Sequence, residues 1–561
     1  MIGRPAGSTD RTPHLGLLVL GVAAVVGFRA WASWRAEVPQ VYADEAAYLA
    51  MARLLGGGSP WNMGEASTYG PGYSLLIAPW FALDLDPPHL YRMAIWTNTV
   101  LAGCTVVTYE ALAARVTPLR RPLTIAVAAA AASLPALVLT ANLAWSDNLT
   151  PLCFALLVLT LLRFLECRTP GRGLVVAVAA VAAAVTHDRF LPVVVVLLAT
   201  LALVAWNDRD GRGAALLSMG ATMTGVAATR LLTGLIHDRL YEPGAAADRL
   251  GEVERLLRVG PGVLSFLGQS WYLLVSTAGV AGLGVVALAI AWRRSAGEDR
   301  LPVVATAALL AAAFVPSVVF MTDRQTGHHL VYGRYNDAIV GVLVIMGFGW
   351  LLTDRHLRSR LVGVCAVALT AGASAVILGV TRGDMLDGAY NPPTVLGLMP
   401  IDRTGPREVA FITVVSLVLL AFVTFPTFWR AARPAALGVA VGLTLLGGIR
   451  GVDYMRARAM PRPEVAAGLE ELLEPGAVVA YPSTSDLGNG TFFGYPFYAP
   501  SLWLERTAGN PWEEGASLIL ASNDSPEIRA AGYRQVWSDP HLGAALWVAP
   551  AEPRSGGGGR R

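Results

Sequence analysis

Thirteen apolar runs between residues 15 and 449 leave this chain very few ways to fold. They lie at roughly 15–34, 89–114, 122–143, 149–166, 173–186, 188–206, 213–236, 269–292, 301–321, 338–353, 360–380, 409–428 and 434–449. In hydrocarbon a backbone must satisfy its own hydrogen bonds, so apolar runs near ~20 residues become bilayer-crossing helices. The run at 173–186 is shorter and needs tilt or extension by its flanks. The first run ends in Trp31 and Trp34 with no small-residue cleavage site behind it, which reads as an uncleaved span with aromatic interfacial anchors. A mean hydropathy of +0.51 with 15% charged residues excludes an ordinary soluble globule. The expected fold class is an all-α polytopic membrane domain of about thirteen transmembrane helices with a small C-terminal extracytoplasmic α/β domain.

Alternate connections carry the arginines: Arg115, Arg120 and Arg121; Arg168 and Arg172; Arg209 and Arg212; Arg293 and Arg294; Arg355, Arg358 and Arg360; Arg430 and Arg433. Positive charge collects on cytoplasmic loops, so these face the cytoplasm together with a tail of residues 1–14. The connections at 35–88, 142–148, 187–189, 237–268, 322–337 and 381–408 then lie outside, as does the chain beyond 450. All 43 basic residues are arginine, and with abundant Ala and Gly this points to a GC-rich bacterial genome and hence a bacterial inner membrane. A net charge of +3 gives no reason to expect a nucleic-acid partner. Cys104, Cys153, Cys167 and Cys365 show neither paired nor metal-ligand spacing, so neither disulfide nor zinc is expected.

The outer tail changes character. After the proline-punctuated linker RARAMPRPEV, a helix at 464–473 and the β-type runs GAVVAYPS, SLWLE, ASLILAS, RQVWS and AALWVAP outline a small α/β domain over 450–552. Residues 553–561, ending GGGGRR, are low-complexity and expected to be disordered.

The first outer loop, 35–88, is too long for a simple connector. Its stretch VYADEAAYLAMARLLGGG sets Asp44 and Glu45 side by side at the start of a short helix. Acids there also sit well on a helix dipole with no function at all. WNMGEASTYGPGYSLLIAPWFAL follows, and its residues 73–83 are apolar enough to lie as a helix in the membrane interface. Such a loop has the make-up of a cap over an active site at the bilayer surface.

The pattern D-E-x-x-Y-x-x-x-A-R (Asp44, Glu45, Tyr48, Ala52, Arg53) is followed by P-x-Y-x-L-L-x-A-P (Pro71, Tyr73, Leu75, Leu76, Ala78, Pro79). With the span over 91–115, these residues make the chain resemble the GT-C class of membrane glycosyltransferases, in the branch of the protein O-mannosyltransferases and lipid A aminoarabinose transferases. The resemblance covers about 35–210 and returns at GHHLVYGRYND, residues 327–337. It implies a GT-C-like catalytic domain over 15–449 that moves a sugar, with inversion, from a polyprenyl-phosphate donor to an acceptor hydroxyl on the outer face. The acceptor is a lipid, a polysaccharide or a protein, and the other partners are membrane lipids.

A hydroxyl is a weak nucleophile near neutral pH, and a carboxylate base within hydrogen-bond reach is worth about 10²- to 10⁴-fold. Asp44 matches the family's base; Glu45, ~100° round the same helix, orients a neighbour or the acceptor. Asp147, in NLAWSDNLT, matches the second functional acid, although it is also placed to N-cap the next span. Negative charge grows on the departing lipid phosphate, so cations should surround it. The outer-face candidates are Arg189 in THDRF and Arg324, His328, His329 and Arg334, with Tyr48, Tyr69, Tyr73 and Tyr335 as substrate-binding aromatics. Arg189 could equally snorkel to the interface, and Arg334 with Tyr335 could be an interfacial anchor. The aminoarabinose branch carries a basic residue just before the first-loop proline; Ser67, Thr68, Tyr69 and Gly70 precede Pro71 here, so phosphate must be gripped from elsewhere. Asp84 and Asp86 form a D-x-D before two prolines, which says turn; no metal site is assigned, and a divalent cation stays open as a cofactor.

Three other classes compete. A glycan polymerase or ligase would share carrier lipids, but its main catalytic loop is expected late in the chain instead of after the first span. A transporter or flippase for a lipid-linked or polar substrate would show broken spans, midplane charges and internal twofold similarity, and the sequence shows no repeat. Activity that stays intact after deletion of residues 450–561 would argue against a non-catalytic receptor built around the outer domain.

Overall fold

The computed structural model describes residues 12–39, 43–64, 68–83, 85–241, 259–322, 327–386, 395–398, 401, 408–455, 468–474, 477–482, 487–540 and 542–550. Among these, eight helices are long and apolar enough to cross a membrane, a bent helix pair supplies a ninth, and four shorter apolar helices pack between them. The chain is a multi-pass membrane protein. Leucine, valine and phenylalanine side chains such as Leu203, Val380 and Phe422 stand exposed on the helix exteriors, as a hydrocarbon solvent requires.

The helices are α1 (Thr12–Ser33), α2 (Ala43–Leu55), α3 (Gly72–Phe81), α4 (Pro87–Val116), α5 (Arg121–Ala132), α6 (Pro135–Thr140), α7 (Thr150–Glu166), α8 (Pro170–Thr186), α9 (Leu191–Asn207), α10 (Arg212–Leu240), α11 (Val259–Val275), α12 (Val280–Arg294), α13 (Arg300–Met321), α14 (Gly327–Leu330), α15 (Asp337–Thr353), α16 (Leu357–Leu386), α17 (Val409–Thr424) and α18 (Arg433–Met455). The short helices expected in the first outer loop are α2 and α3; α3 turns Leu75 and Leu76 outward and buries Tyr73 and Ile77.

Two expected spans are broken. The run at 122–143 divides into α5 and α6, because Pro135 cannot continue a helix and Ser133 closes α5 on the carbonyls of Ala129 and Ala130. The run at 269–292 is two helices meeting at 105°. Ala278 (φ 46°) and Gly279 (φ 76°) turn left-handed there, and the Gly279 N–H closes back on Leu274 O at 2.7 Å, a Schellman-type stop. The arginine-rich connections join helix ends held by the ion pairs Arg115–Glu166, Arg121–Glu110 and Arg168–Asp208. Because α7, α8, α9 and α15 each have an arginine-rich connection at one end and the 141–149, 187–190 or 333–336 segment at the other, these segments gather, with α2, at the opposite end.

The C-terminal part holds a five-stranded sheet: β1 (Val478–Pro482), β2 (Trp503–Thr507), β3 (Leu518–Ser522), β4 (Arg534–Asp539) and β5 (Ala544–Val548), in the order β2-β1-β3-β5-β4. β1 runs parallel to β2 and β3, and β5 runs antiparallel to β3 and β4. Each strand falls on one of the five β-type runs. α19 (Gly488–Tyr498), which the sequence did not suggest, crosses from β1 to β2, and α20 (Pro526–Ala530) precedes β4. Of the helix expected over 464–473, residues 468–470 are helical and run into a turn at 471–472; 464–467 lie outside the described residues.

Candidate active site

Asp44 stands in the first turn of α2, and its carboxylate accepts from the Tyr69 hydroxyl and from Nη1 of Arg334. Arg334 Nε donates to Asp147 Oδ2 at 2.5 Å, and Asp147 Oδ1 accepts from Nη2 of Arg189 at 3.0 Å. Arg189 also donates to Thr150 Oγ1 (2.8 Å) and to the Arg334 carbonyl (3.4 Å). Two carboxylates and two guanidiniums thus form one charge-balanced chain drawn from four separate stretches of sequence. Such groups persist in a buried site only when each is paired, so the chain is self-consistent as well as dense. Asp44 is its open end: 24% of its side chain is exposed, against 4%, 2% and 1% for Arg334, Asp147 and Arg189.

Each member is locally braced. Glu45, on the same turn as Asp44, is buried and accepts from Ala144 N–H and from the Tyr91 hydroxyl, both at 2.7 Å, so it fixes the connection that carries Asp147. Asn148 Nδ2 ties that connection to Thr140 O and Leu143 O, each at 3.0 Å. Asp147 sits in a 3₁₀ turn and makes no capping bond to α7, so the ion pairs take its carboxylate in place of the expected cap. Arg189 is buried and ion-paired, which replaces the snorkelling alternative. Arg334 follows Gly333, where any Cβ would fall 1.7 Å from Cζ of the Tyr272 ring; only glycine allows that approach.

Aromatic rings enclose the network. The Arg334 guanidinium lies 4.0 Å from the Trp145 ring centre, and Arg189 5.2 Å from that of Tyr335. Tyr48 meets Tyr69 at 5.3 Å, and His187 meets Tyr69 at 6.1 Å and Tyr335 at 5.6 Å. Burial, with the Asp44 charge beside it, pushes the Tyr69 phenol well above its ordinary value, so it stays a donor. Burial, and then the Arg189 charge, hold the His187 imidazole down at about 3, hence neutral. Its Nδ1 accepts the Arg189 N–H at 3.3 Å, which leaves the proton on Nε2. Nε2 of His187, Nε of Arg189 and Nη2 of Arg334 are buried donors without a partner among the described residues. Three unused donors around two guanidiniums suit an anion with several acceptor oxygens.

Asp44, Asp147, Arg189, Arg334, Tyr69 and Tyr335 therefore come together. Tyr48 is fully buried and paired through its hydroxyl with Ser146 Oγ (2.6 Å), and Tyr73 is fully buried and donates to Asn98 Oδ1 (2.8 Å), so these two form the wall behind the network. His329 stacks on Tyr332 at 6.0 Å, outside the chain of ion pairs. Arg324 and Asp84 lie outside the described residues, as does the side chain of His328; Asp86 pairs with His89. Among the described residues no three His, Cys, Asp or Glu side chains are grouped to hold a metal ion. Thr150, His187 and Trp145 were not singled out, although all three adjoin the marked residues in sequence.

By sequence, no known protein family and no curated protein matches the chain. By structure, the crystal structure of ArnT from Cupriavidus metallidurans in the apo state matches with a TM-score of 0.56 over 96% of this chain and 98% of that one, at 15% identity. The crystal structure of that ArnT bound to undecaprenyl phosphate matches with a TM-score of 0.54 at 14% identity, again over 96% and 98%. The likeness spans both the membrane helices and the C-terminal sheet and shows the fold, a GT-C polytopic membrane fold.

Proposed function

We propose that this protein is an inverting membrane glycosyltransferase that moves a sugar from a polyprenyl-phosphate donor to an acceptor hydroxyl at the extracytoplasmic face. The observation that carries the reading is the Asp44–Arg334–Asp147–Arg189 chain, in a fold shared with a protein crystallised with undecaprenyl phosphate. Both oxygens of Asp44 are occupied, one by Tyr69 and one by Arg334. A phosphate entering beside Arg189 and Arg334 competes for the guanidinium and finds the unused donors of Arg189, Arg334 and His187 ready. Asp44 is then free to take the proton of the acceptor hydroxyl as general base. As the anomeric carbon–oxygen bond breaks, the charge growing on the phosphate falls where the cations already stand, so little reorganisation is needed. Asp147 holds both arginines and serves as the fixed counter-charge between them. The aromatic rings round the opening give a sugar apolar faces to pack on.

The test is release of free polyprenyl phosphate by the purified protein in nanodiscs, across a panel of polyprenyl-phosphate sugars. Asp44→Asn is expected to abolish release while the protein still accumulates and folds. Wild-type turnover by that variant would falsify the assignment of the base.

A further inference from the structure

The function proposed above uses nothing beyond residue 335, yet the C-terminal domain is built into the supports of its site. α2 carries Asp44 in its first turn and Arg53 in its last, about 13.5 Å apart along the axis at 1.5 Å per residue. The Arg53 guanidinium is buried; Nη1 donates to Pro496 O at 2.7 Å and Nη2 to Phe497 O at 2.8 Å. Both carbonyls belong to the last turn of α19, where helix carbonyls lack partners and the helix dipole is negative. A planar fork can hold two such oxygens at once, a geometry an ammonium cannot reproduce. Trp61 packs against the same guanidinium, 5.1 Å away.

A second route starts from the same helix. The Phe497 ring meets Tyr91 edge-on at 6.3 Å, and the Tyr91 hydroxyl donates to Glu45 at 2.7 Å and lies 3.0 Å from Asn142 O in the connection itself. Glu45 is the carboxylate that holds Ala144 N–H and with it the connection bearing Asp147. The end of α19 therefore bears on Asp44 along α2 and on Asp147 through Tyr91 and Glu45.

We propose that the C-terminal domain is a working part of the active site, with Arg53 a positioning residue through which α19 sets the two carboxylates. Only the kinetic half of its test rests on the glycosyltransfer reading. The full-length protein in nanodiscs is compared with Arg53→Met, Arg53→Lys and Tyr91→Phe by backbone amide exchange and by turnover of a polyprenyl-phosphate sugar. Arg53→Met is expected to speed exchange about tenfold or more at both 43–48 and 142–148, because loss of the clamp frees a segment that was held natively. Tyr91→Phe should do so at 142–148 alone. Turnover number is expected to fall about 10- to 100-fold with donor KM within about twofold, since misplacement by ~1 Å costs rate more than binding. Arg53→Lys should restore part of the loss.

Faster exchange confined to 53–62 and 488–505, with 43–48 and 142–148 unchanged, overturns the proposal and makes the domain a docked passenger. Wild-type kinetics in Arg53→Met overturns it as well. Absence of turnover by wild type with every donor counts against glycosyltransfer alone, and the exchange pattern then decides the inference. Should Arg53→Met fail to accumulate, Arg53→Lys carries both measurements.

Discussion

Arg334 reaches two carboxylates because the segment that carries it is pinned at both ends by one buried amide. Gln269 Nε2 donates to His329 O at 3.0 Å and Leu330 O at 3.1 Å, while its Oε1 accepts from Ser317 Oγ at 2.7 Å and Asn336 Nδ2 at 2.9 Å. Every hydrogen-bonding position of that side chain is used, three of the four on residues flanking 331–335. Gln269→Leu keeps the volume and strands the Ser317 hydroxyl and the Asn336 amide, at about 1–3 kcal/mol for each group left unsatisfied. The expected result is a lower thermal midpoint and at least a tenfold fall in turnover, read by thermal unfolding and product release; an unchanged rate would mean that Arg334 is placed by other contacts. At this scale the sequence revealed the charged members and concealed their supports. Asp44, Asp147, Arg189 and Arg334 stood out because charge at the ends of apolar runs is conspicuous. Gln269 opens the run at 269–292, where one polar residue resembles any other, and its partners are 48 to 67 residues distant.

Among the elements, α12 and α15 pack closely through small residues. A Cβ on Gly284 would lie 2.1 Å from Leu343 O, and one on Gly347 2.2 Å from Val280 O. Backbones in lipid associate by such close approach, since water does not drive apolar faces together there. Gly284→Ala should lower the apparent melting temperature, by a destabilisation of about 1–3 kcal/mol from overpacking; an unchanged melting curve would show that α15 shifts freely. In the membrane part helix existence was legible from hydropathy, and in the C-terminal part the five strands from their β-branched and aromatic runs. The breaks were not. Hydropathy averages over a window and passes across Ala278 and Gly279, whereas the 105° bend depends on two dihedral angles. α19 was missed because its sequence, GNGTFFGYPFY, holds glycines and a proline that argue against a helix, and tertiary packing overrides that weak propensity.

For the whole molecule, the antiparallel order of the helices sets the arginine-rich connections at one end and the proposed site with the C-terminal sheet at the other. The positive-inside reading then makes a definite topological prediction. A phosphatase fused after residue 561 is expected to be active outside the cell membrane, and one inserted at Asp210 inactive; the reverse pattern would place the network in the cytoplasm and remove the basis for an outer-face reaction. The proposed site is also spread along about half of the chain, since Asp44 and the Arg334 that pairs with it are 290 residues apart in a sequence of 561. At roughly 5–20 residues per second a ribosome needs about 15–60 s to make that interval. For that time Asp44, joined by Asp147 for the last 187 residues of the interval, is already made while their shared counter-ion is not. Synthesis itself thus sets the order of assembly: no nascent fragment ending before the 333–336 turn can close the chain of ion pairs, which becomes complete only after about three fifths of the protein has been laid down.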